Sequence, residues 1–256
     1  MKNLLFTLFT LCLLAFSNYQ EKPTLYIIGD STVKNGSGKG SDSLWGWGSV
    51  IQPHFDTNRL TIQNHAIGGR SSRTFISDGR WERILKDLKS GDYVIMQFGH
   101  NDAGALDDTA RARGTIRGIG DSSKTIYNPI KKITETVYTY GAYMRKYVNE
   151  AKAKGAIPII CSLVPRNDWH EGKVKRSKDS YAQWAQQIAE QEGALFIDLN
   201  EKIALEYETL GDTAVKQFFP KDHTHTNLEG AKLNAQIVAS EIKALKNCTL
   251  QGFLKQ

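Results

Sequence analysis

Asp222 and His225 lie three residues apart in the run Asp222-His223-Thr224-His225, at a loop-to-helix junction, a spacing at which one helical turn brings a carboxylate to an imidazole. A carboxylate on one ring nitrogen leaves the other free, and an imidazole with an ordinary pKa of about 6.5 takes a proton near neutral pH. Such a base calls for a hydroxyl, because serine alone is a weak nucleophile. Ser31 is the best-placed serine: it follows the apolar run Leu25-Tyr26-Ile27-Ile28, which stops abruptly at Gly29-Asp30. Acyl transfer also needs donors aimed at the developing oxyanion, each worth roughly 3 kcal/mol. Three candidates are the backbone N–H of Ser31, the backbone N–H of Gly69 and the side-chain amide of Asn101. Gly69 has no side chain to keep a substrate away from its main chain.

Each of these residues also has a plainer reading. Ser31 could cap a helix, Gly69 and Asn101 could be turn residues, and Asp222 could cap the last helix. A second Gly-Asp-Ser triplet, Gly120-Asp121-Ser122, follows no strand and reads as a turn. His223 and His225 alternate like a metal pair, yet no third ligand stands at a suitable spacing, so a metal is not expected. His100 reads as a hydrogen-bonded structural residue and Asp30 as a tie within its own loop. Gly36-Ser37-Gly38-Lys39-Gly40-Ser41 lacks the order of a phosphate loop. No Gly-x-Ser-x-Gly elbow occurs, and an acid so close to its histidine departs from the α/β-hydrolase arrangement.

The elements that must position these residues are legible as alternating patterns. Short β-branched and aromatic runs at Leu25–Ile28, Leu60–Asn64, Tyr93–Phe98, Ile157–Val164 and Leu195–Leu199 predict five strands. Between them, Ser72–Leu88 predicts one helix, and Ile130, Ile133, Val137, Met144, Tyr147, Val148 and Ala151 outline the apolar face of a second. Tyr181, Trp184, Ala185, Ile188 and Ala189 mark a third, and Thr226-Asn227-Leu228-Glu229 suggests a capping box opening a last helix that runs to about Lys246. Residues 103–128 have weak periodicity and read as a long loop. Alternating strands and helices imply an α/β domain whose parallel sheet is covered on both faces. Ligands of such sheets bind beyond the carboxyl ends of the strands, and the loops carrying Ser31, Gly69, Asn101, Arg166 and Asp222–His225 are all expected there.

Composition sets outer bounds. The 256 residues, 40% hydrophobic and 23% charged, suffice for a buried core, and 22 glycines with 6 prolines exclude collagen-like or low-complexity chains. The net charge of +6 is spread thinly without a basic run, so nucleic acid is not implied. Leu4–Phe16 is an apolar run of 13 that ends in Ala15-Phe16-Ser17, which predicts a signal peptide over residues 1–17 and a single domain over 18–256. That run is short for a membrane span, so a secreted or periplasmic protein without membrane insertion is expected. Cleavage there leaves Cys161 and Cys248, for which buried free thiols are favoured over a disulfide.

Taken together, Gly29-Asp30-Ser31-Thr32, Gly69, Gly99-His100-Asn101-Asp102 and Asp222-x-x-His225 resemble the SGNH, or GDSL, hydrolases, with all four blocks in order. Ala66-Ile67-Gly68-Gly69-Arg70-Ser71-Ser72-Arg73-Thr74-Phe75 and Gln97-Phe98-Gly99-His100-Asn101-Asp102 are similar to the rhamnogalacturonan acetylesterase-like branch of carbohydrate esterases, over roughly Thr24 to Leu245. The resemblance implies a three-layer α/β/α flavodoxin-like sandwich with a five-stranded parallel sheet. It also implies Ser31 as nucleophile, His225 as acid/base, Asp222 as its orienter, and Ser31, Gly69 and Asn101 as the oxyanion hole, with no metal or organic cofactor. The reaction it implies is removal of acetyl groups from a plant cell-wall polysaccharide, with pectic rhamnogalacturonan leading and homogalacturonan and xylan open. Two rivals remain: a lipase or thioesterase on the same scaffold, and a glycan-binding protein without catalysis. Arg70, Arg166 and Trp169 are candidate substrate contacts. Arg73 and Lys173 are further candidates for galacturonate carboxylates, and Trp45, Trp47 and Tyr127 for stacking on sugar rings. Oligomeric state is left open.

Overall fold

The computed structural model describes residues 21–40 and 42–255, so the expected signal segment lies outside the described residues. In chain order the strands are β1 (Thr24–Gly29), β2 (Thr61–Asn64), β3 (Tyr93–Gln97), β4 (Ser123–Asn128), β5 (Ile133–Tyr138), β6 (Ile157–Cys161), β7 (Trp169–His170), β8 (Lys173–Val174) and β9 (Leu195–Ile197). Five of them form one parallel sheet in the order β2-β1-β3-β6-β9, while β4–β5 and β7–β8 are separate antiparallel hairpins. The helices are α1 (Ser72–Ser77), α2 (Arg80–Asp87), α3 (Tyr140–Ala153), α4 (Tyr181–Glu192), α5 (Leu199–Leu210), α6 (Asp212–Lys216) and α7 (Leu228–Ala244).

Strands β1, β3, β6 and β9 are mainly apolar because both faces of the sheet are covered there, whereas the edge strand β2 alternates exposed and half-buried residues; the period-2 alternation of side chains divides the apolar strands between two cores. Leu25, Ile27, Ile95, Ile159 and Ile197 pack with Trp47, with Ile203 and Tyr207 of α5, and with Val238 and Ile242 of α7. Tyr26, Ile28, Val94, Met96 and Ile160 pack with Phe75, Trp81 and Ile84 of α1 and α2, with Tyr147 and Val148 of α3, and with Ile188 of α4. Cys161 and Cys248 are both free and buried, and burial pushes the Cys161 thiol far up. The expected α/β/α sandwich is thus present, with its strand order reversing between β1 and β3. That reversal is where flavodoxin-like sheets open a crevice at the strands' carboxyl ends.

Several elements differ from expectation for local reasons. The single helix expected over Ser72–Leu88 is two, because Asp78 ends α1 and Gly79 turns the chain at φ 68° before α2 begins. The apolar face expected from Ile130 to Val137 is instead the β4–β5 hairpin. Ile133-Thr134-Glu135-Thr136-Val137-Tyr138 is rich in β-branched and aromatic residues, Ile126 and Val137 turn inward, and Lys132 N–H closes the turn on Asn128 O at 2.8 Å. The last helix is capped by Asn227, whose side chain accepts from Gly230 N–H at 3.0 Å, while Thr226 Oγ1 donates to Trp45 O. Helices α5 and α6 occupy a stretch for which no element was expected; α5 starts on the Asp198 side chain, which accepts from Glu201 N–H.

Candidate active site

Ser31 stands two residues beyond β1, in a turn closed by Val33 and Lys34 N–H groups donating to Asp30 O. Behind it a buried polar network fixes the loop. Asp30 Oδ1 accepts from Thr32 N–H at 2.9 Å and from Thr32 Oγ1 at 2.7 Å. Gln97 Nε2 donates to Thr32 Oγ1 at 2.7 Å, and its Oε1 accepts from Trp47 Nε1 at 2.8 Å. Trp47 is therefore a core residue held to the end of β3. Since buried polar atoms are costly when unpaired, this chain of bonds holds the serine-bearing turn to the edge of the sheet.

The run Asp222–His225 precedes α7 and folds back on itself. Asp222 Oδ1 accepts the backbone N–H groups of Thr224 at 2.7 Å and His225 at 2.8 Å, while Oδ2 lies 2.7 Å from His225 Nδ1. The free nitrogen, His225 Nε2, is 2.8 Å from Ser31 Oγ. Partial burial favours the neutral acid at Asp222, but the bonds from the His225 ring and the two backbone donors outweigh it and hold the carboxyl below its ordinary range. The result is an unbroken line, carboxylate to imidazole to hydroxyl, between residues 194 positions apart in sequence.

Gly69 has φ 75°, a left-handed conformation that favours glycine. Asn101 is buried and uses one amide hydrogen on Arg70 O at 2.9 Å; the other remains for a ligand. The two loops are joined a second time by Asp102, fully buried, whose carboxylate accepts from Ser72 N–H at 3.1 Å and Ser72 Oγ at 2.5 Å. Burial pushes the Asp102 carboxyl up to about 7, against the downward pull of the Ser72 bonds. Sequence reasoning singled out Asn101 but gave its neighbour no role. His100 is half-buried and lines the cavity beside Ser31; desolvation lowers its pKa, partly offset by Asp30 and by a bond to Val164 O.

Ser31, Gly69, Asn101 and His225 line one cavity of about 700 Å³. Of the candidate contacts, Arg70 and Arg166 line it as well. Trp169 does not: it sits in the β7–β8 hairpin, packed partly on the core, with Nε1 donating to Asn167 Oδ1 at 2.6 Å. Trp45, Trp47 and Tyr127 are also absent from its lining. Arg73 is buried and bonded to Glu135 at 2.5 Å, and Lys173 pairs with Glu208, so neither reaches the cavity. Arg111, Arg113 and Lys131 line it instead. They come from the stretch expected to be a featureless loop and from a turn expected to be helix. The Arg-Ala-Arg triplet beside the functional edge was the available signal. Among the described residues, no group of three or more His, Cys, Asp or Glu side chains could hold a metal, and no helix is long and apolar enough to cross a membrane.

Residues 27–233 match the GDSL-like lipase/acylhydrolase family, and the chain belongs to that family. It is 37% identical to a rhamnogalacturonan acetylesterase of Emericella nidulans, over 83% of this chain and 81% of that one. It is 31% identical to a probable rhamnogalacturonan acetylesterase of Bacillus subtilis, YesY, over 91% and 98% of the two chains. The crystal structure of YxiM from B. subtilis superposes with a TM-score of 0.70 at 27% identity, covering 88% of this chain, which spans 57% of that longer protein. An acetylxylan esterase of Geobacillus stearothermophilus, Axe2, shares the fold at a TM-score of 0.56 and 20% identity, covering 86% and 94% of the two chains.

Proposed function

We propose that this protein is an exported carbohydrate acetylesterase acting on acetylated pectic polysaccharide, with rhamnogalacturonan as the leading substrate. The observation that carries the reading is the line Asp222–His225–Ser31, with separations of 2.7 and 2.8 Å, opening into the cavity that holds Gly69 and Asn101. His225 Nε2 takes the Ser31 proton as Oγ attacks the acetyl carbonyl, and Asp222 holds the ring and stabilises the imidazolium. The oxyanion is received by the N–H groups of Ser31 and Gly69 and the amide of Asn101. Collapse expels the sugar alcohol, which takes its proton from His225, and water repeats the sequence on the acetyl-enzyme. No metal or organic cofactor enters these steps.

The choice of a small acyl group is supported by the lining, whose apolar side chains among the described residues are Ala110, Ala112 and Ile130. A lipase would need an apolar trough for its chain. The pectic substrate is supported by the names of the two relatives above 30% identity, and export by the apolar run at Leu4–Phe16. The test is acetate release from acetylated rhamnogalacturonan, homogalacturonan and xylan in parallel, with Ser31→Ala as the blank. Release from rhamnogalacturonan that vanishes in Ser31→Ala, with the circular dichroism spectrum unchanged, is the expected result. Appreciable turnover by the variant would remove Ser31 from its role.

A further inference from the structure

The cations around Ser31 are unequally compensated. Arg70 Nε lies 2.7 Å from Asp78 Oδ2 and Lys131 Nζ 3.1 Å from Asp78 Oδ1, so one carboxylate serves both. Arg111 and Arg113 line the same cavity, yet neither forms an ion pair among the described residues. Arg113 is half-buried, and its Nη1 donates to Gly69 O at 3.2 Å. Burial, and then the like charge of Arg111, lower its pKa. Asp30, Asp102 and Asp108 oppose that shift only from beyond ion-pair distance, and two guanidinium groups lining one cavity without a direct carboxylate partner favour the entry of an anion.

The segment that carries them is built rather than loose. Between the two arginines, Ala112 is buried at φ 42°, a left-handed backbone that costs a non-glycine residue energy and persists only where its surroundings enforce it. Gly114 N–H donates to Ala105 O at 3.2 Å, and a Cβ at Gly114 would lie 1.8 Å from Gly104 O, so the two strands of the loop touch. The buried Arg73 clamps both, donating to Leu106 O at 3.0 Å and Gly114 O at 2.9 Å, with Glu135 neutralising it from the β4–β5 hairpin. Arg73 is thus the strut that fixes the two cavity arginines.

We propose that Arg111 and Arg113 form a carboxylate subsite that reads a uronate within one sugar residue of the acetyl ester. The placement follows from contact: Arg113 is bonded to Gly69, and a Cβ added to the neighbouring Gly68 would lie 3.6 Å from Ser31 Cβ. The planar guanidinium fork matches a carboxylate with two parallel bonds. This proposal rests on the acetylesterase reading above and adds to it which side chains recognise the acidic sugar.

The test compares an acetylated galacturonate-containing oligosaccharide with the same oligosaccharide after its carboxylates are reduced to primary alcohols. The intact enzyme should favour the acidic form in kcat/KM by about tenfold or more, the scale of a hydrogen bond to a charged group, and mainly through KM. Arg111→Gln and Arg113→Gln should each bring that ratio toward one, with Arg113→Lys between. Arg111 is exposed and makes no bond to Gly69, so its variant tests the subsite without disturbing the oxyanion loop. Lys173→Gln, remote from the cavity, should leave the ratio where it is. Equal kcat/KM on both oligosaccharides overturns the subsite and leaves the acetylesterase standing. An unchanged ratio in Arg111→Gln, or an equal fall in Lys173→Gln, overturns it as well. Acetate release from neither oligosaccharide overturns both readings.

Discussion

Asp222 and Asp102 each follow the loop chemistry that meets at the Ser31 cavity, and their surroundings drive them in opposite directions. The Asp222 side chain is 43% exposed, accepts three hydrogen bonds and is held below the ordinary carboxylate range. Asp102 has no exposure, and burial outweighs its bonds from Ser72, pushing it up to about 7. Donor bonds are present in both places, so the difference lies in desolvation. Access to water leaves one aspartate a fixed negative charge that can orient and stabilise an imidazolium. Exclusion from water leaves the other near neutrality, suited to joining the Gly69 and Asn101 loops, where a permanent charge would be expensive.

The largest effect expected from this contrast is at Asp222. Asp222→Asn keeps the size of the side chain but removes the charge beside His225 Nδ1 and permits the wrong tautomer. A comparable change in a serine hydrolase costs about 10⁴ in kcat. We expect a fall of at least about 10³-fold on p-nitrophenyl acetate, with the melting temperature at pH 7 changed little because the group is partly solvated. A fall below tenfold would mean that the Asp222 charge is not what prepares His225.

Asp102→Asn should act on both stability and turnover. A carboxyl raised in the native state keeps its proton where the unfolded chain has lost it, so stability drains away as pH climbs from the ordinary range to about 7 and is constant above. The span sets an upper bound of roughly 4 kcal/mol on that loss. Asp222, lowered, has the opposite sign: its contribution is present above the ordinary range and lost as pH falls through the lowered value. His100, also lowered, weakens the fold below its ordinary pKa. Urea unfolding of wild type and Asp102→Asn at pH 4.5 and 8 cancels these shared slopes, and the gap between the proteins should move in favour of the variant at pH 8. Its kcat should fall about tenfold, since the amide nitrogen that replaces Oδ2 meets the Ser72 N–H donor 3.3 Å from that position and the Asn101 loop shifts. A gap independent of pH would place Asp102 as an ordinary ionised carboxylate.

What could be read in advance follows the same division between local and distant causes. Asp222 and His225 were legible because three residues of spacing determine their meeting, and Ser31 because β1 ends visibly in front of it. The parallel sheet was legible from apolar runs that need both faces covered. Arg111 and Arg113 were not, because their places depend on Arg73 and Glu135, which come from an α1 helix and a hairpin far apart in sequence. The hairpin was itself hidden: Ile130, Ile133 and Val137 fit a helical spacing as well as a strand, and only the packing of Ile126 and Val137 decides. Trp169 misled for the reverse reason, an aromatic residue near the right edge whose indole is satisfied by Asn167 instead. Asp102 lay in a recognised motif, but nothing in sequence reports that its carboxyl is dry.

Ser72 gives the finest resolution of that last point. Its hydroxyl donates to Asp102 Oδ1 at 2.5 Å, a bond that favours the ionised acid and so holds the pKa below where burial alone would set it. Ser72→Ala leaves the backbone bond in place and deletes only this donor, so the Asp102 pKa should rise further. The expected cost is about 1–2 kcal/mol above pH 8, where the carboxylate is charged and misses its donor. Near pH 5, where the acid carries its own proton, the cost should be smaller. Equal destabilisation at both pH values would show that Ser72 acts as a packing residue at the start of α1 and that the charge state of Asp102 does not depend on it. A loss that grows with pH would tie the Ser72 hydroxyl and the buried Asp102 acid into one titrating unit beside Asn101.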